Sequence, residues 1–324
     1  MTKNHLPKVV VIGGGTGVFT VLNALKDYPV HLQAIVSTAD DGGSSGVLRE
    51  EFGILPPGDI RRALIALAPD SMQSLSRLFN YRFTKGEGLR GHTFGNLFLT
   101  ALERLNGDFN TAIKEAGKIL NIKGEVIPVT LENVKLLAKL QNGTFIIGET
   151  NIDRPKHKIS KIQEIFLSPR PKANKEALNA IKKANYIIVG PGDLYTSIIP
   201  NFLPIGLATA FKKSKAKKFF ICNITTKFGE TDGFGAINFL KTMEKYVGKN
   251  TFNYFIVNKS RDLPKQFIKK YLKENKEIVR YSDKDFINYP KLKIIQADLV
   301  RHTGLLRHDP EKLGKLLYGL ILTD

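Results

Sequence analysis

A glycine-rich segment, residues 13–17, follows the apolar run of residues 8–12. The apolar run is typical of a buried strand, and the pattern after Gly17 is typical of a helix. Backbone N–H groups at a helix start can point at a phosphate, and glycine lets the phosphate come close. Val18 stands where the dinucleotide fingerprint needs glycine, and the lysine of the ATPase phosphate loop is missing. The segment still predicts a phosphate or nucleotide site, with contacts from Gly14, Gly15, Thr16 and Gly17.

Two adjacent carboxylates, Asp40 and Asp41, follow the second apolar run, residues 31–37. In open α/β sheets, ligands bind beyond the carboxyl ends of the strands, where these acids are expected. They could hold a metal ion, accept a proton or bind ribose hydroxyls. Because consecutive side chains point in different directions, we expect only one of the two to contact the ligand. Further contacts are predicted at Thr38, Gly43 and Ser44.

A third segment, residues 56–62, combines a proline turn with one acid and two arginines. Asp59 is predicted to cap the helix of residues 60–67. Arg61 or Arg62 could clamp a phosphate through its planar guanidinium group. Because both arginines lie in one helical turn, we expect at least one of them to face solvent.

A second strand–glycine–helix junction, residues 189–197, mirrors the first. Two such junctions in one sheet favour a ligand that spans a crevice, such as a nucleotide-sugar or a dinucleotide. A lone histidine is more often structural than catalytic, so His92 is predicted to contact the ligand rather than to act as a catalytic residue. Cys222 has no sequence neighbour that would lower its pKa and is predicted to be a small buried residue. The contacts predicted in these later segments are His92, Asn96, Gly192, Asp193 and Asn223.

Apolar strand-like runs alternate with helix-period segments along most of the chain. This alternation predicts an α/β fold with a mostly parallel sheet covered by helices on both faces. Residues 126–171 differ, because short strands at 135–140, 143–147 and 162–167 are separated by turn residues. We therefore predict one domain, residues 1–324, that carries a β-rich insertion at about residues 126–171.

The composition is that of a globular protein, with 42% hydrophobic and 24% charged residues in 324. The single cysteine excludes an intramolecular disulfide and a multi-cysteine metal site, and with no secretory signal it indicates the cytoplasm. No apolar run is long enough to span a bilayer. The net charge of +19 favours anionic partners without choosing among them. No aromatic-interleaved basic motif is present, so a solvated lysine face is expected rather than specific nucleic-acid binding.

Six ordered motifs together resemble the YvcK branch of the CofD-like family, the gluconeogenesis factors. The resemblance runs nearly end to end and is far more specific than a single glycine loop. The motifs are residues 13–17 (GGGTG), 38–46 (TADDGGSSG), 55–61 (LPPGDIR), 91–96 (GHTFGN), 190–197 (GPGDLYTS) and 229–233 (GETDG).

This resemblance implies a Rossmann-like three-layer α/β/α sandwich in a cytoplasmic bacterial protein. It also implies binding of a UDP-sugar, notably UDP-N-acetylglucosamine, and a role in cell shape and wall synthesis during gluconeogenic growth. The family's C-terminal tyrosine and arginine contacts match Tyr271 and Arg307. We expect a regulator with no catalytic residue and no required cofactor, which could form a homo-oligomer. The resemblance does not identify its regulatory partner in cell-wall synthesis or central carbon metabolism.

The enzyme branch of the same family transfers phospholactate onto a deazaflavin. As a transferase, this chain would use Asp40, Asp41 and Asp59. No metal site is expected for the regulator, and Asp40 and Asp59 are the residues that could hold Mg²⁺. The enzyme branch has bulkier residues where this chain has the sequence GGSS at residues 42–45, which argues against deazaflavin chemistry. A third alternative is an oxidoreductase that binds NAD, against which the missing third glycine argues.

Overall fold

Ten strands are present in the computed structural model, which describes residues 6–155, 157, 159–259, 276–301 and 306–323. Most are short apolar runs rich in valine, isoleucine and phenylalanine, as expected for strands that are buried on both faces. In chain order they are β1 (Lys8–Gly13), β2 (His31–Val36), β3 (Glu125–Pro128), β4 (Lys135–Leu140), β5 (Phe145–Ile147), β6 (Ile162–Ser168), β7 (Tyr186–Val189), β8 (Lys217–Ile221), β9 (Tyr254–Asn258) and β10 (Lys293–Ala297).

The helices carry an apolar stripe toward the sheet and polar residues toward solvent. Their bounds are α1 (Gly15–Leu25), α2 (Gly43–Phe52), α3 (Gly58–Leu67), α4 (Gln73–Asn80), α5 (Phe94–Asn106), α6 (Phe109–Ile119), α7 (Glu149–Asp153), α8 (Lys175–Lys183), α9 (Leu207–Lys213), α10 (Ala236–Val247) and α11 (Pro310–Thr323). Shorter helical turns occupy Asp70–Met72, Leu194–Ile198, Ile199–Phe202 and Asp283–Phe286. No helix of the described residues is long and apolar enough to cross a membrane.

Seven strands form one parallel sheet in the order β10-β9-β8-β7-β1-β2-β3. The chain winds outward from β1 through β2 to β3, and then returns to the other side of β1 with β7. The strand order therefore reverses between β1 and β7. Ligands of open α/β sheets bind at such a reversal, outside the carboxyl ends of the strands.

Each face of the sheet is covered by its own hydrophobic core. Alternate residues of β1 divide between them: Val10 and Ile12 pack with α8, α9 and α10, whereas Val9 and Val11 pack with α1, α3, α5, α6 and α11. All four of these side chains are fully buried. The predicted α/β fold, a mostly parallel sheet between two helical layers, is confirmed.

The β-rich segment forms a separate three-stranded antiparallel sheet, in the order β5-β4-β6. Its hairpin turn contains Asn142 and Gly143, so the strand predicted at 143–147 begins only at Phe145, and α7 follows β5. The predicted start at residue 126 differs from the structure, because Val126 pairs with Ala34 of β2 in the main sheet. The apolar run at residues 126–129 is too short to indicate which of the two sheets it joins. The separate sheet therefore begins only after Pro128.

Other element bounds also differ from the predictions. Pro57, rather than Asp59, occupies the cap position of α3, and Asp59 lies in its first turn. The motif of residues 38–46 is only partly a loop, because α2 begins at Gly43. Helix α4 and strand β10 were not predicted, although turn residues precede both: Pro69 and Asp70 lie before α4, and Pro290 lies before β10.

Candidate functional site

The loops that follow β1 and β7 touch each other at the reversal of the strand order. A Cβ atom at Gly17 would lie 1.8 Å from the carbonyl oxygen of Pro191, so only glycine allows this approach. The loop after β7 is also tied to β8, because Asn223 accepts a hydrogen bond from the Gly192 N–H at 3.3 Å. The Asn223 side chain donates to the Gly192 carbonyl at 2.8 Å. The three loops therefore form a fixed floor at this edge of the sheet.

A cavity of about 590 Å³ opens above this floor. Acidic residues and arginines line it together with glycines and residues with hydroxyl groups, so neither positive nor negative charge dominates the cavity. The predicted contacts that line it are Gly14, Gly15, Thr16, Gly17, Asp40, Gly43, Ser44, Asn96, Gly192, Asp193 and Arg307. Asp59, Arg61 and Arg62 line it as well.

A second cavity, of about 600 Å³, adjoins the first. Its lining has more apolar side chains, including Ile224, Phe228 and Leu306, and it also contains the predicted contact Asn223. The two cavities share the residues Thr16, Gly17, Asp153, Arg154, Gly192, Asp193 and Arg307. A ligand with a polar and a less polar half could therefore occupy both at once.

Five carboxyl groups line the first cavity, and three of them, from different elements, influence one another's pKa values. Asp40 follows β2, Asp59 lies in α3 and Glu149 begins α7. Burial, reinforced by the charge of Asp40, raises the pKa of Asp59 to about 6. Burial together with Asp40, Asp153, Asp59 and Asp41 raises the pKa of Glu149 to about 9. The cavity thus holds carboxyl groups that retain a proton far more readily than exposed ones.

Asp59 also contacts the glycine loop. It accepts a hydrogen bond from the Gly15 N–H. This N–H has no partner within α1 because it lies at the start of the helix. A Cβ atom at Gly14 would lie 2.6 Å from the Asp59 carboxylate. An acid of the chain itself therefore uses part of the anion-binding capacity that the glycine loop predicts.

The neighbouring acids Asp40 and Asp41 have different surroundings. Asp40 lines the cavity and accepts the Gly42 N–H at 2.9 Å. Asp41 turns toward α7, where it accepts the N–H groups of Glu149 and Thr150 at 3.0 and 2.8 Å. Its carboxylate thereby satisfies free donors in the first turn of that helix. Asp41 positions the β-rich segment at the cavity rather than lining the cavity itself.

A buried chain of hydrogen bonds supports the opposite wall. Arg61 Nε donates to Asn96 Oδ1 at 2.9 Å, and Asn96 Nδ2 donates to Ser44 Oγ at 3.0 Å. Ser44 Oγ lies 3.1 Å from His92 Nδ1. His92 lies behind Ser44 and does not line either cavity described above. Burial and the nearby Arg62 and Arg82 lower the pKa of Arg61 to about 10.

Lys227 joins the β-rich segment to the two loops below it. Its ammonium contacts Asp153 of α7, lies 2.7 Å from Asp193 and lies 3.1 Å from Glu230. Burial by itself disfavours the charged form, but the attraction of these carboxylates, Glu230 first, raises the pKa of Lys227. Asp153, Asp193 and Glu230 have the spacing of a metal-binding group, and the ammonium contacts all three. Lys227 therefore supplies the positive charge that this cluster needs.

Several residues fall outside the two cavities or outside the described part of the chain. Thr38 is buried and donates a long hydrogen bond to the Thr130 carbonyl, so it lines neither cavity. Tyr271 lies outside the described residues. Cys222 is buried, as predicted, and burial raises the pKa of its thiol.

Sequence reasoning missed the residues that the β-rich segment brings to the first cavity. Glu149, Thr150, Asp153 and Arg154 all lie in or beside α7 and line this cavity. Arg82, on the loop after α4, was missed as well. Their contribution depends on how the inserted sheet folds back over the main sheet, and no local pattern encodes that. The only hint in the sequence is the run of polar residues around Asp153.

The sequence profile of the family described as 2-phospho-L-lactate transferase CofD matches residues 9–300. The chain belongs to the CofD family. Among curated CofD-family relatives, the gluconeogenesis factor of Bacillus subtilis is 39% identical over 317 residues, 97% of this chain and 98% of that protein. The gluconeogenesis factor of Halalkalibacterium halodurans is 39% identical over 316 residues, 95% of each. The resemblance deduced from the six motifs is thereby confirmed.

Solved structures agree with this assignment. A crystal structure of a UPF0052 family member from Bacillus halodurans superposes with a TM-score of 0.91 at 38% identity. The match covers 97% of this chain and 99% of that chain. This CofD-family chain therefore shares its fold over nearly its whole length with an experimentally determined relative.

Glu149 gives a first test of the electrostatics of the site. Its folded-state pKa of about 9 lies above its ordinary value of 4.5, so the folded protein binds more protons between these pH values than the unfolded chain. Stability from this group is therefore lost as pH rises from 4.5 to 9. Glu149→Gln does not titrate there. We expect the variant and the wild type to have similar free energies of unfolding near pH 5. Near pH 9 the free energy of unfolding of the variant should be higher by at least about 1.4 kcal/mol, which is equivalent to one pKa unit.

Urea unfolding at the two pH values measures this difference. Glu87, an exposed acid outside both cavities, supplies the matched variant Glu87→Gln, which should follow the wild type at both pH values. A Glu149→Gln protein that loses stability with pH as steeply as the wild type would show that Glu149 is ionised in the folded state.

Proposed function

We propose that this chain binds a nucleoside diphosphate sugar of the UDP-N-acetylglucosamine type in the cytoplasm and acts as a regulator without turnover. The observation that carries the proposal is the pair of adjoining cavities at the strand reversal, which meet at Arg307. Both volumes lie in the range of small-molecule sites, roughly 300–1,000 Å³. We further propose that this binding serves cell shape and wall synthesis under gluconeogenic growth, and the name of the relatives, gluconeogenesis factor, supports the link to gluconeogenesis.

The lining of each cavity suits one part of such a ligand. Arg307 and the backbone at Gly14–Gly17, where the cavities meet, suit a diphosphate, since a guanidinium group pairs well with phosphate oxygens. The carboxyl groups of Asp40 and Glu149 suit the hydroxyl groups of a sugar, because they accept hydrogen bonds. Ile224 and Phe228 of the second cavity suit the faces of a base and ribose. Only a ligand with all three parts uses both cavities fully.

A transferase is the second candidate, and the approach of Asp40 to Asp59 favours it. Asp40 raises the pKa of Asp59, which places the two carboxylates within electrostatic reach. Two carboxylates together with substrate phosphates are a common donor set for Mg²⁺, so these residues fit the ion. Bound there, Mg²⁺ would neutralise charge on a transferring phosphoryl group. Asp59 would have to release Gly15 or share its oxygens between the ion and that N–H.

Calorimetric titration separates the two candidates. We expect saturable binding of UDP-N-acetylglucosamine, weaker binding of UDP-glucose, and little binding of GDP or NAD. Because Arg62, Arg82, Arg154 and Arg307 line the first cavity, EDTA should change the affinity by less than about tenfold, or roughly 1.4 kcal/mol. A larger loss with EDTA, or product from a phospholactyl donor and a deazaflavin, would support the transferase. Preferential binding of NAD would contradict the UDP-sugar assignment.

A further inference from the structure

Opposite the two cavities, at the amino ends of β8 and β9, lies an open pocket of about 360 Å³. The end of α9, the end of α10 and the segments leading into both strands surround it. Lysines line the pocket with serine, threonine, asparagine and one alanine, and no carboxylate is among the lining residues. The lysines are Lys212, Lys215, Lys217, Lys218 and Lys249.

Another pocket of this protein that contains lysines provides a comparison. That pocket contains Lys8, Lys114 and Lys183 together with Glu125 and Glu176. Lys114 lies 2.6 Å from Glu176, so its charge is balanced locally. Beside the lysine pocket, Glu244 is buried and accepts the Asn250 N–H and the Tyr289 hydroxyl. The lysine pocket therefore has no lining carboxylate comparable to Glu125 and Glu176.

The side chains of this pocket divide between structural and available groups. Lys218 is buried and donates to the carbonyls of Ser214 and Ala216 at 2.6 and 3.2 Å, so it stabilises the turn between α9 and β8. Lys212, Lys215 and Lys249 are exposed, and no ion pair within the described residues involves any of them. Lys212 lies against Gly248, where an added Cβ atom would be 3.2 Å from its Nζ. Three ammonium groups from two helix ends and one turn thus share one concavity.

We propose that this pocket binds a small, multiply phosphorylated anion at a site separate from the two cavities. Several ammonium groups held in one concavity raise the local positive potential, which favours the binding of an anion there. The concave shape and the volume match a small ligand, whereas a duplex or a membrane surface would need lysines spread over a broad face. The site does not depend on the ligand proposed for the two cavities.

Inorganic tripolyphosphate is the probe for this site, titrated by calorimetry, with hydrogen–deuterium exchange to locate it. The variant Lys212→Ala/Lys215→Ala/Lys249→Ala removes the exposed charges, and Lys118→Ala/Lys135→Ala/Lys241→Ala removes three exposed lysines elsewhere as the matched control. We expect the first variant to weaken binding roughly tenfold or more and the control by less than about twofold. In the wild type, exchange should slow at α9, at residues 214–218 and at residues 248–253.

Four outcomes would overturn the proposal. One is a wild-type protein that binds no tripolyphosphate, and another is an equal loss in both triple variants, which would indicate only the general positive field. A third is loss of tripolyphosphate binding in Arg307→Ala with the lysine variant unaffected, which would place the anion in the two cavities. The last is a lysine variant that still binds tripolyphosphate but no longer binds duplex DNA or phosphatidylserine vesicles. This result would indicate a surface that binds macromolecules or membranes.

Discussion

Replacing Arg307 with alanine should weaken UDP-N-acetylglucosamine binding by about one to two orders of magnitude. Arg307 lines both cavities, its side chain is exposed, and no carboxylate within the described residues forms an ion pair with it. A charge-assisted hydrogen bond lost from a ligand typically costs about 1.5–3 kcal/mol. The ligand-free protein should unfold at the same temperature as the wild type, because no described contact of the guanidinium group holds the fold together.

Arg301 supplies the matched control. It lies directly opposite Arg307 in a short antiparallel pairing, its N–H donates to the Arg307 carbonyl at 3.0 Å, and it lines neither cavity. Arg301→Ala should therefore leave the affinity within about twofold of the wild type. Calorimetry and thermal unfolding measure both variants. Unchanged affinity combined with a lower melting temperature in Arg307→Ala would make Arg307 a structural residue.

The substitution Gly17→Ala, which adds a single methyl group, should lower the free energy of unfolding by about 3 kcal/mol. This is at the upper end of what overpacking costs. Its Cβ would lie 1.8 Å from the Pro191 carbonyl oxygen and 2.4 Å from the carbonyl carbon, and neither backbone atom can rotate away. The loops after β1 and β7 would have to separate. We also expect the variant to lose most of its affinity for the UDP-sugar, since both loops line the two cavities.

Gly319 of α11 is the control for this substitution. No described atom outside its own helix lies within 4 Å of a Cβ built there, so Gly319→Ala should raise stability by about 0.5–1 kcal/mol through a better helix former. Urea unfolding measures both variants, and calorimetry measures their ligand affinity. A Gly17→Ala protein as stable as the wild type would show that the two loops do not pack this closely.

Patterns along the chain predicted the main sheet well because its strands are nearly continuous apolar runs. Strands such as β1 and β7 are buried on both faces, and glycine loops follow both of them. The first cavity was largely predictable for the same reason, since the carboxyl ends of parallel strands collect their loops at one edge. Asp40, Asp193 and Arg307 were therefore found from sequence motifs and the family resemblance.

The role of the β-rich segment could not be predicted in this way. Helix α7 has only five residues, too few to show a helical period, and its place over the cavity depends on Asp41 and Lys227 from distant parts of the chain. The hydrogen bond from Gly15 to Asp59 was missed for a similar reason. A carboxylate from another helix was not foreseen as the partner of a loop predicted to bind phosphate.

A crystal structure of the chain with UDP-N-acetylglucosamine would show directly where the proposed ligand lies. We expect a diphosphate between Arg307 and the start of α1, the sugar toward Asp40 and Glu149, and the base in the second cavity beside Phe228. A ligand bound elsewhere on the protein, or a diphosphate held through a metal ion on Asp40 and Asp59 with Arg307 turned away, would contradict the proposed binding mode.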